Sequence, residues 1–164
     1  MFTVVDSPVG PLTLVGEDGD LSGIYLREHR HMPPQERFGE YVEGGLPQVA
    51  EQLQEYFARQ RTEFELPLRL NGTPFQRTVW AALQEIPYGE TISYGELAQH
   101  IGRPTASRAV GLANGKNPVS IVVPCHRVIG STGDLTGYGG GIDVKRSLLH
   151  FEREASELSL FTPA

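Results

Sequence analysis

The segment SYGELAQHIGRPTASRAVGLANG (93–115) decides the fold of the second half of the chain. Ser93 and Glu96 form a capping box, which predicts the start of a helix, and Gly102 and Pro104 predict its end. Another helix is predicted after this turn. Two short helices joined by a tight turn that contains glycine favour a helix-turn-helix, although an ordinary helical corner fits the pattern equally well.

The second of these helices carries small side chains almost throughout. In TASRAVGLANG (105–115), which is predicted to be helical to about Asn114, most positions are Ala, Ser or Gly, and Arg108 is the one long polar side chain. A helix that recognises bases in the major groove needs several long polar side chains. A helix with small side chains can approach the narrow minor groove closely, with Arg108 inserted as a wedge. The simpler explanation of the small side chains is that they pack against a neighbouring helix.

Another helix is predicted just before this region. Thr73 and Gln76 form a second capping box, with Pro74 at the first helical position, and PYGE (87–90) turns the chain afterwards. The apolar positions of this helix recur at helical spacing and predict its buried face: Phe75, Val79, Leu83 and Ile86.

The first half of the chain, residues 1–70, predicts a small α+β unit. Its β-prone runs are at 2–5, 11–16 and 21–27, with the hairpin turn EDGD at 17–20, and its predicted amphipathic helix covers 46–60. Residues 30–45 predict a loop, and a further short strand is expected near 64–70. His29 and His31 lie in polar sequence with no cysteine nearby, so a metal site there is the weaker interpretation.

Composition and charge exclude several classes of protein. The chain has 164 residues, of which 39% are hydrophobic and 21% charged, so it can bury a core and is not disordered throughout. No apolar run approaches the ~18 residues of a membrane span, and MFTVVDSPVG (1–10) does not resemble a signal peptide, so we expect a cytoplasmic protein.

The net charge of −6 argues against a nucleic-acid partner. Residues 71–151, however, carry seven basic against five acidic residues, which allows modest, salt-dependent binding.

The segment NPVSIVVPCHRVIG (117–130) contains the single cysteine of the chain, which excludes an internal disulfide and a cysteine-rich zinc site. The apolar residues 119–123 predict a buried strand, and the thiol is expected to emerge where Pro124 ends it. A thiol reacts as the thiolate, and His126 can take its proton. Because adjacent side chains of an extended segment point apart, that transfer needs a bridging water or a distorted backbone. Glu152, on a helix predicted from about Asp143, can orient His126.

These motifs resemble the O6-alkylguanine-DNA alkyltransferases, also called methylated-DNA–protein-cysteine methyltransferases. The matching segments are PCHRVIG (124–130), TGYGGG (136–141), FQRTVWAALQEIPYGET (75–91), SYGELA (93–98) and SRAVGLANGKNPV (107–119). The resemblance covers nearly all of 71–153 and, more loosely, the first half. It implies an α+β fold with a small ribonuclease-H-like domain at 1–70 and a mostly helical winged-helix or helix-turn-helix domain at 71–164.

The resemblance also implies catalytic roles. Cys125 matches the alkyl acceptor, His126 the base that acts through a water, and Glu152 the residue that orients the base. Asn117 matches the residue that supports the turn around the site. Tyr94 matches the residue that crowds the 3′ phosphate, supports rotation of the base and protonates the leaving guanine.

The implied partner is double-stranded DNA that carries O6-alkylguanine, bound through the minor groove without sequence specificity. Arg108 matches the arginine that fills the gap left by a flipped guanine. The other implied DNA contacts are Tyr94, Ser93, Ala109, Gly111 and Lys116. The implied base pocket comprises the Val128 carbonyl, Tyr138, Gly139 and Lys145. The expected reaction is an irreversible single turnover with no metal and no cofactor, by a protein that is monomeric when free. Cooperativity on DNA and repair of O4-alkylthymine are left open.

Three departures from the family pattern and two other functions also need consideration. Position 139 is Gly, where some members carry a hydroxyl residue that bonds O6, and position 112 is Leu, where others have Gly. The single cysteine excludes the N-terminal zinc site of some relatives in the same form.

A cysteine hydrolase or acyltransferase would use the same relay, but it needs an oxyanion hole and leaves the bare Arg108 helix unexplained. A lesion-binding helix-turn-helix module without transfer leaves Cys125 without a role.

Overall fold

The first half of the chain begins with an antiparallel three-stranded sheet. The computed structural model describes residues 1–136 and 138–161, with side chains described as far as Ala155. The strands β1 (Phe2–Val5), β2 (Leu12–Glu17) and β3 (Asp20–Leu26) pair in the order β1-β2-β3. The β2–β3 turn is the pair Asp18-Gly19, whose φ angles of 50° and 86° are typical of a tight hairpin. The predicted hairpin is therefore confirmed.

One helix follows the sheet, and the strand expected near residues 64–70 is absent. The helix α1 (Pro47–Phe57) buries Val49, Leu53 and Tyr56, and a 3-10 helix at Gln35–Phe38 interrupts the predicted loop before it. The prediction of a strand near 64–70 is wrong, because the described structure pairs this segment with β3 only through an isolated bridge between Leu21 and Leu68. Pro67 has no N–H to donate, so the pairing does not extend into a ladder.

The second half is mostly helical, as expected, and the α+β fold class is confirmed. Its helices are α2 (Pro74–Leu83), α3 (Tyr94–His100), α4 (Ser107–Gly115) and α5 (Ile142–Phe161). Both predicted capping boxes are present, at the starts of α2 and α3. The short strands β4 (Ile92–Ser93) and β5 (Val128–Ile129) form a parallel pair. The pair α3–α4, joined by the turn at 101–106, has the expected helix-turn-helix order.

The apolar run at 119–123 is not a strand, which corrects the sequence-based prediction. The side-chain amide of Asn117 donates to the Val123 carbonyl at 2.8 Å, and its Oδ1 accepts from the Val119 N–H at 3.0 Å. These bonds draw the two ends of the run together into turns, and Ile121 adopts a φ of 74°, which is incompatible with an extended chain. Val119 meets β3 only as an isolated bridge to Ile24.

Among the described residues, the larger buried cluster contains side chains from both halves of the chain. It includes Leu14, Ile24 and Tyr56 from the first half and Trp80 and Leu148 from the second. Burial of this shared apolar surface is the main free-energy term that holds the sheet and α1 against the helices that surround Cys125. In the described ranges, no helix combines the length and apolar character that crossing a membrane requires.

Candidate active site

Cys125 lies inside the protein rather than at its surface. It begins the 3-10 helix Cys125–Arg127, its exposed fraction is 2%, and the side-chain amide of Asn114 donates to its carbonyl at 3.2 Å. The expectation that the thiol emerges at the end of a strand is therefore wrong. The physical reason is that the turns held by Asn117 replace the strand, and Cys125 belongs to the same buried cluster as Ile121 and Val123.

Glu152 accepts hydrogen bonds from three side chains in the buried interior. His126 Nε2 lies 2.9 Å from Oε2, and Tyr56 donates to the same oxygen at 2.6 Å. Arg127 donates from Nε to Oε1 at 2.8 Å and from Nη2 to Oε2 at 2.9 Å, a bidentate pair, while its Nη1 donates to the Ile86 carbonyl. The carboxylate therefore has a partner on each oxygen, which fixes its orientation and that of the His126 ring.

The charges in this network fix the proton positions on His126. Burial alone would raise the pKa of Glu152, but the contacts with His126 and Arg127 outweigh it and hold that pKa well below its usual range. Burial lowers the pKa of His126 against the opposing effect of Glu152, so the ring is neutral near pH 7. An ionised Glu152 accepts the Nε2 proton, which assigns the free acceptor position to Nδ1. Nδ1 is buried and has no hydrogen-bond partner among the described residues.

Cys125 and Lys145 form a second pair of interacting titratable groups. Burial raises the pKa of Cys125 to about 11, against opposing effects of the Asn117 amide and of Lys145. Burial also lowers the pKa of Lys145 to about 8. Lys145 Nζ donates to the Thr136 carbonyl at 2.6 Å and lies 3.4 Å from the Tyr94 hydroxyl, which itself donates to the same carbonyl. Tyr94 and Lys145 therefore lie together, and Lys145 is fully buried.

The loop expected to cover the base pocket is held by the first half of the chain. The Arg30 N–H donates to the Gly139 carbonyl at 2.7 Å, and a Cβ at Gly139 would lie 2.5 Å from His29 Nε2. Only glycine fits at this position while His29 keeps its place. Tyr138, which directly precedes Gly139 in this loop, is buried, and Val128 is buried in β5. Residue 137 lies outside the described residues.

The exposed face of α4 carries Arg108 and Ala109, two of the residues expected to bind DNA. Ser107, Arg108, Ala109 and Leu112 are exposed, whereas the buried side of the helix consists of Val110, Ala113 and Asn114. Of the other implied DNA contacts, Gly111 faces Tyr94, and Lys116 is exposed directly after α4. Ser93 precedes Tyr94 and caps α3. An open groove of about 410 Å³ runs along this face.

Sequence reasoning missed two residues that position Glu152. Arg127 follows His126 directly, but the sequence does not show that it is buried, and only its burial requires a carboxylate partner. Tyr56 occupies the buried stripe of α1, where nothing in the sequence distinguishes it from a core aromatic residue. In the part of the chain that the structure describes, no group of three or more His, Cys, Asp or Glu side chains could hold a metal ion.

Comparison with known proteins places the chain in a family. Residues 1–70 match the model described as 6-O-methylguanine DNA methyltransferase, ribonuclease-like domain, and residues 74–154 match that of its DNA binding domain. A methylated-DNA–protein-cysteine methyltransferase of Mycolicibacterium paratuberculosis is 54% identical over 97% of this chain and 96% of that protein.

Solved structures give the same result. The crystal structure of Mycobacterium tuberculosis O6-methylguanine methyltransferase has a TM-score of 0.88 at 50% identity, covering 98% of each chain. That of Mycobacterium tuberculosis OGT in complex with DNA has a TM-score of 0.85 at 49% identity, covering 98% of this chain and 99% of that one. The chain therefore belongs to the 6-O-methylguanine DNA methyltransferase family, and its second half carries the DNA-binding domain of that family.

Proposed function

We propose that this protein repairs DNA by direct reversal, moving an alkyl group from O6 of guanine in a duplex to Sγ of its own Cys125. The observation that carries the proposal is the buried series Cys125–His126–Glu152, next to the exposed, nearly bare face of α4. Arg127 and Tyr56 hold Glu152, so the base beside the thiol has a defined orientation.

The proposed reaction is a displacement at the alkyl carbon. A bond forms between Sγ and that carbon, and the bond from the carbon to O6 breaks, with its electron pair going to guanine. The thiol proton passes through a bridging water to Nδ1 of His126, which is the acceptor position of this ring. The leaving guanine takes a proton from the Tyr94 hydroxyl, so the first products are a thioether, neutral guanine, a His126 imidazolium and a Tyr94 phenolate. The imidazolium then loses its proton to water and the phenolate regains one from water, which restores both neutral side chains.

The product explains why the protein would act only once. An S-alkyl thioether has no electrophilic carbonyl that an activated water could attack, so Cys125 stays alkylated. A thioester from an acyl transfer would be hydrolysed instead. The displacement itself needs no metal and no organic cofactor.

Access to the lesion requires that the base leave the duplex. Unstacking a base costs a few kcal/mol, and we propose that Arg108 offsets part of that cost by entering the vacated stack from the minor groove. The Val128 carbonyl, Tyr138 and Gly139 would then line the pocket of the flipped base, with Asn117 supporting the turn beside it. Contacts without base recognition make binding independent of sequence.

The two halves of the chain would divide this work. Residues 71–164 would bind DNA and accept the alkyl group, and residues 1–70 would support the site and its loop, with the free protein monomeric. The cytoplasmic location expected from the sequence stays a prediction.

Intact-mass analysis after incubation with duplex DNA containing O6-methylguanine tests the proposal. We expect a single gain of one CH2 group per chain, located at Cys125 by peptide mapping, and no gain in Cys125→Ser. Repeated product release from a thioester substrate, without stable modification, would identify a hydrolase. Binding of the lesion with an unchanged mass would identify a binding module.

A further inference from the structure

Leu112 is the most exposed large apolar side chain in the described part of the protein, with an exposed fraction of 65%. It lies on α4, four residues after Arg108, and residues at this spacing share one face of a helix. The other exposed residues of α4 are Ser107 and Ala109. Arg108 and Leu112 are therefore the two side chains that project from an otherwise bare surface.

Exposure of one leucine has no meaning by itself, because single apolar residues are common on protein surfaces. Its position is what matters here. Leu112 and Arg108 line the same open groove of about 410 Å³, and its other lining residues are Tyr94, Ser107, Gly111 and Thr136. None of these residues is acidic, so the groove presents nothing that would repel a phosphate backbone. Leu112 also makes no contribution to the buried side of α4, which Val110 and Ala113 supply.

We infer that Leu112 is a second wedge, an apolar one, that packs into the minor groove beside the position entered by Arg108. The inference rests on the proposed function. Minor-groove proteins insert leucine and similar side chains between base steps and thereby unstack them. Four residues of helix span about 6 Å, and stacked bases are about 3.4 Å apart. The two side chains can therefore contact the same stack about two base steps apart, so that Leu112 loosens the stack while Arg108 fills the gap.

Single-turnover alkylation of Cys125 by two substrates tests this role. One is a duplex with O6-methylguanine, and the other is the free base O6-benzylguanine, which needs no flipping. We expect the ratio of duplex rate to free-base rate to fall about tenfold in Leu112→Ala, from loss of most of one buried leucine side chain. Leu112→Met replaces leucine with an unbranched apolar side chain of similar size and should retain most of that ratio.

Val4→Ala is the matched control, because Val4 is an exposed apolar residue on β1, outside the α4 face. It should leave the ratio unchanged, and thermal unfolding should show that all variants are folded. An unchanged ratio in Leu112→Ala, or an equal loss on both substrates, overturns the wedge. Loss of self-association in Leu112→Ala at an unchanged ratio also overturns it and assigns this face to a second copy of the chain. If the parent protein is not alkylated by the duplex at all, the proposed function fails instead.

Discussion

The Tyr56 hydroxyl donates a 2.6 Å hydrogen bond to Oε2 of Glu152, a residue 96 positions later in the chain. Tyr56 belongs to α1 in the first half, and Glu152 belongs to α5 in the second. The same oxygen accepts from His126 Nε2. The first half therefore supplies a side chain to the hydrogen-bond network that orients His126, beyond its contribution to the core.

Tyr56→Phe should weaken both the fold and the reaction. The substitution removes one donor to a buried carboxylate and keeps the ring, so we expect a loss of about 1.5–3 kcal/mol in the free energy of unfolding. Alkylation should slow about three- to tenfold, because Arg127 and His126 still hold the carboxylate. Urea unfolding and single-turnover rates measure the two effects. Tyr41→Phe, at an exposed tyrosine, is the control, and equal values for both variants would contradict the role of Tyr56.

Glu152→Gln should slow alkylation by about 10- to 100-fold, although the glutamine side chain fills nearly the same volume as the glutamate. The neutral amide no longer stabilises the protonated state of His126, and it leaves the charge of Arg127 buried without its partner. Rates at several pH values between 6 and 9 are the measurement. Glu154→Gln, on the same helix but exposed, should behave as the parent. Equal rates for Glu152→Gln and the parent across this range would exclude the orienting role.

The Cys125 thiol should titrate at high pH in the free protein. Burial raises its pKa to about 11, so the thiolate absorbance at 240 nm, taken as the difference from Cys125→Ser, should rise only above about pH 9. The same shift makes stability depend on pH, because the pKa of Cys125 in the folded protein exceeds the unfolded value of about 8.5. The protonated thiol therefore stabilises the fold fully below that value, and this contribution is lost as the pH rises towards 11. A titration midpoint near 7 would contradict the prediction.

Cys125→Ser should also separate binding from transfer. A serine hydroxyl at this position is a far weaker nucleophile than a thiolate, so alkyl transfer should be abolished. The α4 face is unchanged, so binding of lesion-containing duplex should be retained. Gel-shift titration together with intact-mass analysis measures both properties, and loss of binding in a folded variant would show that the thiol also serves recognition.

Arg108→Ala should act on the DNA step rather than on the thiol. Because Arg108 is exposed on α4, its loss should lower the ratio of the duplex rate to the free O6-benzylguanine rate by at least about tenfold, as expected when a wedge that offsets unstacking is removed. The affinity for undamaged duplex should also fall, with a salt slope that drops by about one. A matching loss on both substrates would mean that Arg108 shapes the pocket or the fold.

Gly139→Ala should displace the loop that covers the candidate pocket. The added Cβ would lie 2.5 Å from His29 Nε2, so one of the two must move, at a cost of about 1–3 kcal/mol in the free energy of unfolding. Alkylation should slow on both substrates. His29→Ala alone removes the acceptor of the Leu26 N–H, so the test is a double-mutant cycle: Gly139→Ala should cost less in the His29→Ala background than in the parent, since the clashing ring is absent. Strictly additive effects of the two substitutions would contradict this contact.

The elements that depend on neighbouring residues were determined by the sequence itself. The capping boxes of α2 and α3 and the hairpin at Asp18-Gly19 arise where they were predicted, because the side chains that terminate or turn the backbone lie within three residues of the groups they satisfy. The motif around Cys125 likewise identified the family, and with it the α+β fold class.

Contacts between distant residues were decided only by the tertiary structure. The strands predicted near 64–70 and at 119–123 failed because β-propensity needs a partner strand, and Pro67 and the Asn117 hydrogen bonds prevent that pairing. Tyr56 binds Glu152, and His29 occupies the space that a side chain at position 139 would need. Both contacts join residues about 100 positions apart in the sequence. The periodicity of the sequence indicates which side of a helix is buried. It does not indicate which residue packs against that side, because that is decided only when the two halves fold into one core.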